Sequence, residues 1–227
     1  MEPKQISETL HIKGMLSISH ETIYKYVWRD QFYGGNLYTH LRQAAKQRRK
    51  RYNAYDSRGV LAGKCHISER PKVANKHCRI GDWEIDTVKG SGTLDCIVTL
   101  VERKSGLTKI GKLNNRTKEE TNACLLRMLR KINGKVKTIT ADNGTEFHGY
   151  KDVEAKTGIK FYFATPYHSW ERGTNENTNG LIRQYLPKGE SMHGLTQVKC
   201  NRIAYELNAR PRERLAFKTP QEVFDMG

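Results

Sequence analysis

The sequence predicts an α/β fold built on a mixed sheet, preceded by a small helical segment. From about residue 80 onward, the alternation of apolar and polar side chains typical of strands replaces helical periodicity. Three such strands come first and strand–helix units follow them, whereas the first 51 residues carry only helical patterns. The predicted organisation is therefore a helical segment at 1–51, a linker at 52–78 and the main domain at 79–227.

The helical segment opens with two short helices around a turn, within residues 3–30. Ser19 is a good N-cap for the second helix, and Ile18 and Ile23 stand at the spacing of a hydrophobic staple. In a basic chain, a helix-turn-helix pattern indicates contact with DNA. An ordinary helical hairpin explains the same pattern equally well.

A third helix is predicted over 36–50, and it runs into a cluster of positive charge. Such a run is usually a solvated surface, but the high net charge of the chain favours contact with a phosphate backbone. The residues of this run that we predict to contact DNA are Lys46, Arg48, Arg49, Lys50 and Arg51. The following segment, 52–78, lacks periodicity and contains Gly59, Gly63 and Pro71, as expected of a linker.

The main domain is predicted to contain five strands. The strands are expected near residues 82–87, 93–102, 107–113, 136–141 and 160–164. Helices are expected from Thr117, which opens a capping box, and over 149–157, 195–208 and a last short stretch after Thr219. Three antiparallel strands followed by crossover units are the order of a ribonuclease-H-like sheet with helices on both faces.

Composition points to a nucleic-acid partner. The 227 residues include 40 Lys and Arg against 24 Asp and Glu, a net charge of +16. A polyanion with condensed counterions gains entropy when such side chains displace them. The longest apolar run, 97–101, is far too short to span a bilayer, so no membrane role is expected. Five scattered cysteines without a signal segment suggest reduced thiols in a cytoplasmic, nucleoid-associated protein.

One candidate carboxylate ends the fourth predicted strand. Asp142 precedes a helix, which is where open α/β sheets bind their ligands. The alternative is a two-residue hairpin turn, for which Asn143-Gly144 is a common signature. A helix predicted shortly afterwards leaves little room for a return strand.

Glu176 is a second candidate, in a segment rich in asparagine. An acid in the first turn of a helix also simply suits the helix dipole. That alternative does not explain why so many weak helix formers surround it, a local violation expected at functional sites. Arg183 lies two helical turns further along the same face, where it can reach a phosphate.

The first predicted strand offers Asp86, but spacing does not select it over Asp82 and Glu84, which share its face. Three carboxylates from separate segments of a basic chain suggest a metal site that acts on phosphates. Hard oxygen ligands favour Mg²⁺ or Mn²⁺ over zinc. The Cys-His dipeptides at 65–66 and 77–78 fit no common zinc module.

These residues closely resemble the insertion-sequence transposases of the IS-thirty family, which belong to the DDE transposases and retroviral-type integrases. The resemblance spans nearly the whole chain, although family members have a further N-terminal DNA-binding region. It is carried by Trp83–Asp86, by Asp142, by Arg172–Tyr185 with its specific asparagine-rich stretch, and by Ser19–Tyr24, Ile67–Pro71 and Leu207–Arg212.

The resemblance implies that Asp86, Asp142 and Glu176 form the catalytic, metal-binding triad, and it is what selects Asp86. It implies two Mg²⁺ or Mn²⁺ ions about 3.5–4 Å apart that assist DNA cleavage and strand transfer. Arg183 matches a basic residue that contacts DNA. The implied partners are double-stranded DNA, at the element ends and at the target, and further copies of the chain. Two alternatives stay open: a truncated, catalytically silent relative that binds DNA and regulates the full-length enzyme, and a nuclease acting on RNA–DNA hybrids.

Overall fold

A computed structural model describes residues 1–15, 17–41, 63–132, 134–166 and 168–227. The chain divides into two compact units, one formed by Met1–Ser57 with Arg210–Thr219 and the other by Arg58–Ala209 with Pro220–Gly227. The predicted DNA contacts of residues 46–51 lie outside the described residues. Within the described ranges, no helix is both long enough and apolar enough to cross a membrane.

The first unit contains the two predicted N-terminal helices, α1 (Pro3–Ile12) and α2 (His20–Phe32), which pack against each other. Ser19 caps α2 as predicted, because its hydroxyl accepts a hydrogen bond from the backbone N–H of Thr22 at 3.2 Å. The helix predicted from residue 36 is wrong over its first residues. A short 3-10 helix ends at His40 and Leu41 is extended, while 42–50 lie outside the described residues.

The described part of the predicted linker, 63–78, packs on the sheet of the second unit. It contains a 3-10 helix at Ile67–Glu69 and the short helix α3 (Lys72–Asn75). Between them, the Arg70 guanidinium donates a hydrogen bond of 2.8 Å to the buried hydroxyl of Thr140. A charged side chain held in this way ties the segment to the sheet.

Five strands form one mixed sheet in the order β3-β2-β1-β4-β5. The first three strands are antiparallel, and β1, β4 and β5 run parallel, which confirms the predicted order. The strands are β1 (Asp82–Lys89), β2 (Cys96–Glu102), β3 (Thr108–Leu113), β4 (Thr138–Ala141) and β5 (Lys160–Phe163).

Helices cover both faces of this sheet. On one face α4 and α5 pack with Trp83, Ile85 and Phe161, and on the other α6 and α7 pack with Ile97 and Ile110. Side chains of β1 and β2 are therefore buried on both sides, as expected of central strands between helical layers. The helices are α4 (Lys118–Arg130), α5 (Tyr150–Thr157), α6 (Gly173–Ile182), α7 (Gln197–Asn208) and α8 (Pro220–Asp225).

The predicted capping box of α4 is half present. The Thr117 hydroxyl accepts from the backbone N–H of Glu120 at 3.2 Å, as predicted. The Glu120 carboxylate does not return to Thr117; it accepts from the backbone N–H groups of Asn114 and Asn115 at 2.7 and 2.9 Å. The turn before the helix is therefore held more firmly than a capping box alone would hold it.

Candidate active site

The register of the parallel strands brings Asp86 and Asp142 side by side. In the β1–β4 pair, Asp82 lies opposite Thr138 and Glu84 lies opposite Thr140. Two residues further along the same register, Asp86 of β1 meets Asp142, which directly follows β4. Neighbouring strands lie about 4.8 Å apart. Two carboxylates from distant parts of the chain therefore meet at the carboxyl end of β4.

Arg172 joins these two aspartates. Its Nη1 atom lies 3.5 Å from Asp86 Oδ1, and its Nη2 atom lies 3.3 Å from Asp142 Oδ2. Nη1 also donates to the carbonyl oxygen of Ile85 at 3.4 Å. The sequence reasoning did not single out Arg172, because nothing local shows that a residue just before α6 reaches a side chain of β1 and another that follows β4.

Further hydrogen bonds orient each aspartate. Asp86 Oδ1 accepts from the backbone N–H of Thr87 at 2.9 Å, and Oδ2 accepts from the Asn179 side-chain amide at 2.8 Å. Asp142 Oδ1 accepts from the backbone N–H of Gly144 at 2.8 Å. Burial raises the pKa of Asp86 above its ordinary value; Arg172 opposes this shift and the nearby Asp142 adds to it.

The other two acids of β1 have structural partners. Asp82 accepts two hydrogen bonds from the Arg79 guanidinium, at 2.8 and 2.9 Å, and one from the Thr138 hydroxyl at 2.7 Å. Glu84 forms a buried ion pair with Arg103. The spacing did not select a site residue among the three acids on this face. Of these three, the tertiary structure places only Asp86 beside Asp142.

Glu84 also connects β1 to the helix that carries Glu176. Its carboxylate accepts a hydrogen bond of 2.9 Å from the backbone N–H of Asn175, in the first turn of α6. A carboxylate at a helix N-terminus satisfies an unpaired N–H and complements the helix dipole. This contact helps to explain why a segment of weak helix formers is helical here.

Glu176 itself is exposed on α6, and none of the hydrogen bonds or ion pairs among the described residues involves its carboxylate, so no such contact fixes it beside the two aspartates. In the part of the chain that the structure describes, no three His, Cys, Asp or Glu side chains form a group that could hold a metal ion. Asn179, which bonds Asp86, follows Glu176 by three residues, and residues at this spacing are neighbours on a helix surface. The structure therefore brings two of the three predicted acids together and places the third nearby on α6.

The two aspartates suit a divalent cation. Two adjacent carboxylates concentrate negative charge, and the Arg172 guanidinium occupies the position between them that another cation could take. Beside them, the buried Oδ1 of Asn179 has no hydrogen-bond partner among the described residues. Carboxylate and amide oxygens are hard ligands of the kind that Mg²⁺ and Mn²⁺ accept.

A fourth acid, which the sequence reasoning missed, supports the same corner of the sheet. Glu146 is only 2% exposed; its Oε1 accepts from the Thr87 hydroxyl at 2.6 Å and lies 3.5 Å from Arg116. Its Oε2 has no partner in the described part of the chain. A Cβ atom on Gly144 would lie 2.5 Å from this oxygen and 2.9 Å from Asp142 Oδ1. Only glycine fits between the two carboxylates without displacing them.

Arg183, predicted to contact DNA, follows α6 and binds backbone carbonyls. Its guanidinium donates to the carbonyl oxygens of Leu186 and Pro187 at 3.3 and 3.4 Å, and to that of Lys89 at 3.1 Å. Partial burial lowers its pKa from the ordinary value. In this arrangement Arg183 holds the end of α6 to the end of β1, and its contact with DNA stays a prediction.

Solved structures with the same fold include retroviral integrase cores. The catalytic core domain of bovine immunodeficiency virus integrase matches with a TM-score of 0.51 and 20% identity, over 65% of this chain and 95% of that one. A chain of the simian T-cell lymphotropic virus intasome, solved in complex with the PP2A regulatory subunit B56 gamma, matches with a TM-score of 0.52 and 19% identity, over 63% of this chain and 54% of that one. At this level of identity the likeness shows the fold, which is ribonuclease-H-like as predicted.

Sequence relatives define the family. Residues 76–169 match the family model described as the integrase core domain. The transposase of the insertion sequence element IS4351 from Bacteroides fragilis is 42% identical over 222 residues, covering 98% of this chain and 68% of the relative. The transposase InsI of the element IS30A from Escherichia coli K12 is 36% identical over 236 residues, covering 99% of this chain and 61% of the relative. The chain thus spans about two thirds of the length of these relatives, and it belongs to the IS-thirty family of insertion-sequence transposases.

Proposed function

We propose that this chain carries the catalytic domain of a transposase that cleaves DNA at the ends of an insertion sequence and joins them to a target. The observation that carries the proposal is the pair of aspartates, Asp86 within β1 and Asp142 directly after the parallel strand β4, held side by side around a positive charge. The family to which this chain belongs and its net charge of +16 support DNA as the substrate.

In this proposal Asp86 and Asp142 hold divalent cations, Mg²⁺ or Mn²⁺, in a two-ion site. Glu176 supplies a third carboxylate by turning its exposed side chain toward Asp86, across the one helical turn that separates it from Asn179. When bound, such cations activate a water or a DNA 3′-hydroxyl and stabilise the leaving oxygen. Asn179 and Thr87 keep Asp86 oriented throughout, since each donates a hydrogen bond to one of its two oxygens.

The reaction has a hydrolysis step and a transesterification step. In cleavage, a water oxygen bonds to the phosphorus atom and the bond to the DNA 3′-oxygen breaks, which leaves a 3′-hydroxyl and a 5′-phosphate as the water proton passes to the 3′-oxygen. In joining, that 3′-hydroxyl loses its proton and attacks a target phosphate, and the displaced 3′-oxygen of the target takes up a proton. The attacking oxygen comes directly from water or from DNA in both steps, so no covalent protein intermediate is needed. The work of the protein is to position the ends and to hold charge at the reacting phosphate.

The basic run at 46–51, the helix-turn-helix pattern and Arg183 are proposed DNA contacts, and assembly of several copies on the DNA is proposed from the family resemblance. The structural neighbour from an intasome is named as part of such an assembly. The described basic residue among these, Arg183, lies at the end of α6, on the same side of the sheet as Asn179.

The decisive test is strand transfer on a duplex bearing the element end, with and without Mg²⁺. The substitution Asp142→Asn keeps the size of the side chain and removes its charge, so we expect it to abolish cleavage and joining. The matched control is Asp152→Asn, which neutralises an exposed aspartate of α5. Unchanged activity in Asp142→Asn would refute its assigned role.

Two further outcomes identify other functions. A wild-type chain that binds the duplex but never cleaves it, with any divalent cation, is a DNA-binding relative without chemistry. A chain that cleaves RNA–DNA hybrids in preference to the element end is a nuclease of the hybrid-specific type. Both comparisons use the same protein preparation and the same detection of product by gel.

A further inference from the structure

Arg172 holds the two aspartates by long contacts. Its distances to Asp86 and Asp142 are 3.5 and 3.3 Å, whereas hydrogen bonds between oppositely charged groups are usually about 2.7–2.9 Å long. A second Arg–Asp pair in the same domain provides a comparison. Arg79 binds Asp82 by two hydrogen bonds of 2.8 and 2.9 Å, the bidentate geometry of a structural pair. Arg172 instead divides its two nitrogen atoms between two carboxylates.

The position nevertheless requires a positive charge. Two adjacent ionised carboxylates repel each other unless a positive charge lies between them. The Arg172 side chain is 14% exposed and the two aspartates are 20% and 31% exposed, so water partly screens their attraction. A divalent cation carries twice the charge and binds both carboxylates directly, so it competes effectively with this guanidinium.

Arg172 is also placed to act elsewhere once it is displaced. It is the last residue of a 3-10 helix, Ser169–Arg172, and directly precedes α6, and its φ of −123° and ψ of 41° lie outside the regular helix. Its side chain is long, and the planar guanidinium matches the geometry of a phosphate group in two-point contacts. A residue that leaves the aspartates therefore stays within one side-chain length of them.

We propose that Arg172 is a placeholder cation, which neutralises Asp86 and Asp142 until divalent cations bind them and is then released to contact a DNA phosphate beside the reacting one. This inference rests on the proposed function and assigns it an additional residue. Metal binding and DNA binding are then coupled through one side chain, because occupation of the aspartates by metal frees this single phosphate ligand.

The first test measures Mn²⁺ affinity of the full chain without DNA, from the electron paramagnetic resonance signal of free Mn²⁺. We expect Arg172→Gln to bind Mn²⁺ more tightly, on the order of tenfold, because a competing cation has been removed. The matched control is Arg116→Gln, since Arg116 also lies 3.5 Å from a buried carboxylate, that of Glu146. The control is expected to give a clearly smaller change, because Arg116 does not contact either aspartate.

The second test measures the salt dependence of DNA affinity in Ca²⁺ and in EDTA. In the wild type, Ca²⁺ should make the plot of log affinity against log salt concentration steeper than EDTA does. The expected difference in slope corresponds to about one additional phosphate contact. Arg172→Gln should lack this increase, and Arg172→Lys, which keeps the charge, should retain part of it. Thermal unfolding of all variants in EDTA identifies any that fail to fold, and Arg172→Met, which is also uncharged, then replaces Arg172→Gln in the Mn²⁺ comparison.

The results separate this inference from the proposed function. Unchanged or weaker Mn²⁺ binding in Arg172→Gln, or an equal gain in Arg116→Gln, would overturn the placeholder role while leaving the metal site intact. If Mn²⁺ binding is unaffected by Asp86→Asn and Asp142→Asn, the metal site itself is refuted, and the placeholder role with it. Tighter Mn²⁺ binding together with loss of the Ca²⁺-dependent slope supports the complete inference.

Discussion

Asp82 and Asp86 lie on the same face of strand β1, four residues apart, and their surroundings shift the two pKa values in opposite directions. Burial raises both pKa values. At Asp82 the hydrogen bonds from Arg79 and Thr138 outweigh burial, so its pKa is below the ordinary value of 3.8. At Asp86 burial prevails over the attraction of Arg172, so its pKa is above that value. Strand β1 thus carries one aspartate whose ionised form is favoured by the fold, Asp82, and one whose ionised form is penalised by it, Asp86.

The first prediction compares Asp82→Asn with Asp86→Asn in EDTA at neutral pH. A depressed pKa means that the ionised form stabilises the fold, so Asp82→Asn should lower the free energy of unfolding, by about 2 kcal/mol for the charged hydrogen bonds lost. A raised pKa means that the ionised form is penalised, so Asp86→Asn should raise the melting temperature. Calorimetry or thermal circular dichroism measures both.

The pH dependence provides the control for this pair. The stability contributed by Asp82 is present above its unfolded pKa and is lost as the pH falls through its lower folded pKa, so the deficit of Asp82→Asn should shrink in acid. The cost of Asp86 develops as the pH rises from its unfolded pKa to its raised folded pKa and is complete above that, so the gain of Asp86→Asn should also vanish in acid. Destabilisation by both substitutions at neutral pH would contradict the assignment.

The second prediction concerns Glu146, which links Thr87 of β1 to the turn after β4. Glu146→Ala removes the acceptor of the Thr87 hydroxyl and leaves a cavity, so we expect a loss of roughly 2–4 kcal/mol in the free energy of unfolding. Glu146→Gln retains the acceptor and the shape, so it should lose much less. Urea denaturation measures both variants; equal losses would show that charge, and not the hydrogen bond, is what matters at this position.

The third prediction tests the packing of β3 against α4. A Cβ atom on Gly111 would lie 2.2 Å from Cys124 Sγ and 3.0 Å from a methyl carbon of Val98. Gly111→Ala should therefore destabilise the protein by about 1–3 kcal/mol through overpacking. The control is Gly180→Ala in α6, where a Cβ atom meets nothing within 4 Å and alanine should stabilise the helix by up to about 1 kcal/mol. The same sign of change in both variants would contradict this description of the packing.

The fourth prediction rests on the sequence alone, because residues 46–51 lie outside the described residues. If Arg48, Arg49 and Arg51 contact phosphates, replacing all three by alanine should reduce the salt slope of DNA affinity by up to about three units. Titration of a labelled duplex at several salt concentrations measures the slope. An unaltered slope would indicate that these three arginines do not contact DNA phosphates.

Local pattern was enough to predict most of the elements of the second unit. Alternation identified the five strands within a few residues, and the cap at Thr117 marks the start of α4. The 3-10 helices and α3 were not predicted, because their few residues carry no periodicity and depend on contacts such as that of Arg70 with Thr140. The extended backbone at Leu41 was not predicted either, because no local signal there outweighs the apolar spacing that favours a helix.

The candidate site was predictable in part. An acid at the end of β4 and an asparagine-rich helix with weak intrinsic preference are visible in the sequence, because both depend on neighbours along the chain. The choice among Asp82, Glu84 and Asp86 required either family resemblance or coordinates. All three have the same alternation and charge, and they differ only in the partners that distant segments supply.

The sequence by itself determined the order of strands and helices, the basic character and the residues that place this chain in its family. Only the tertiary structure decided that Asp86 faces Asp142, that Arg172 joins them and that Glu146 supports them. The physical reason is that periodicity and capping act over a few residues, whereas the register of parallel strands is set by packing between segments more than fifty residues apart in the chain.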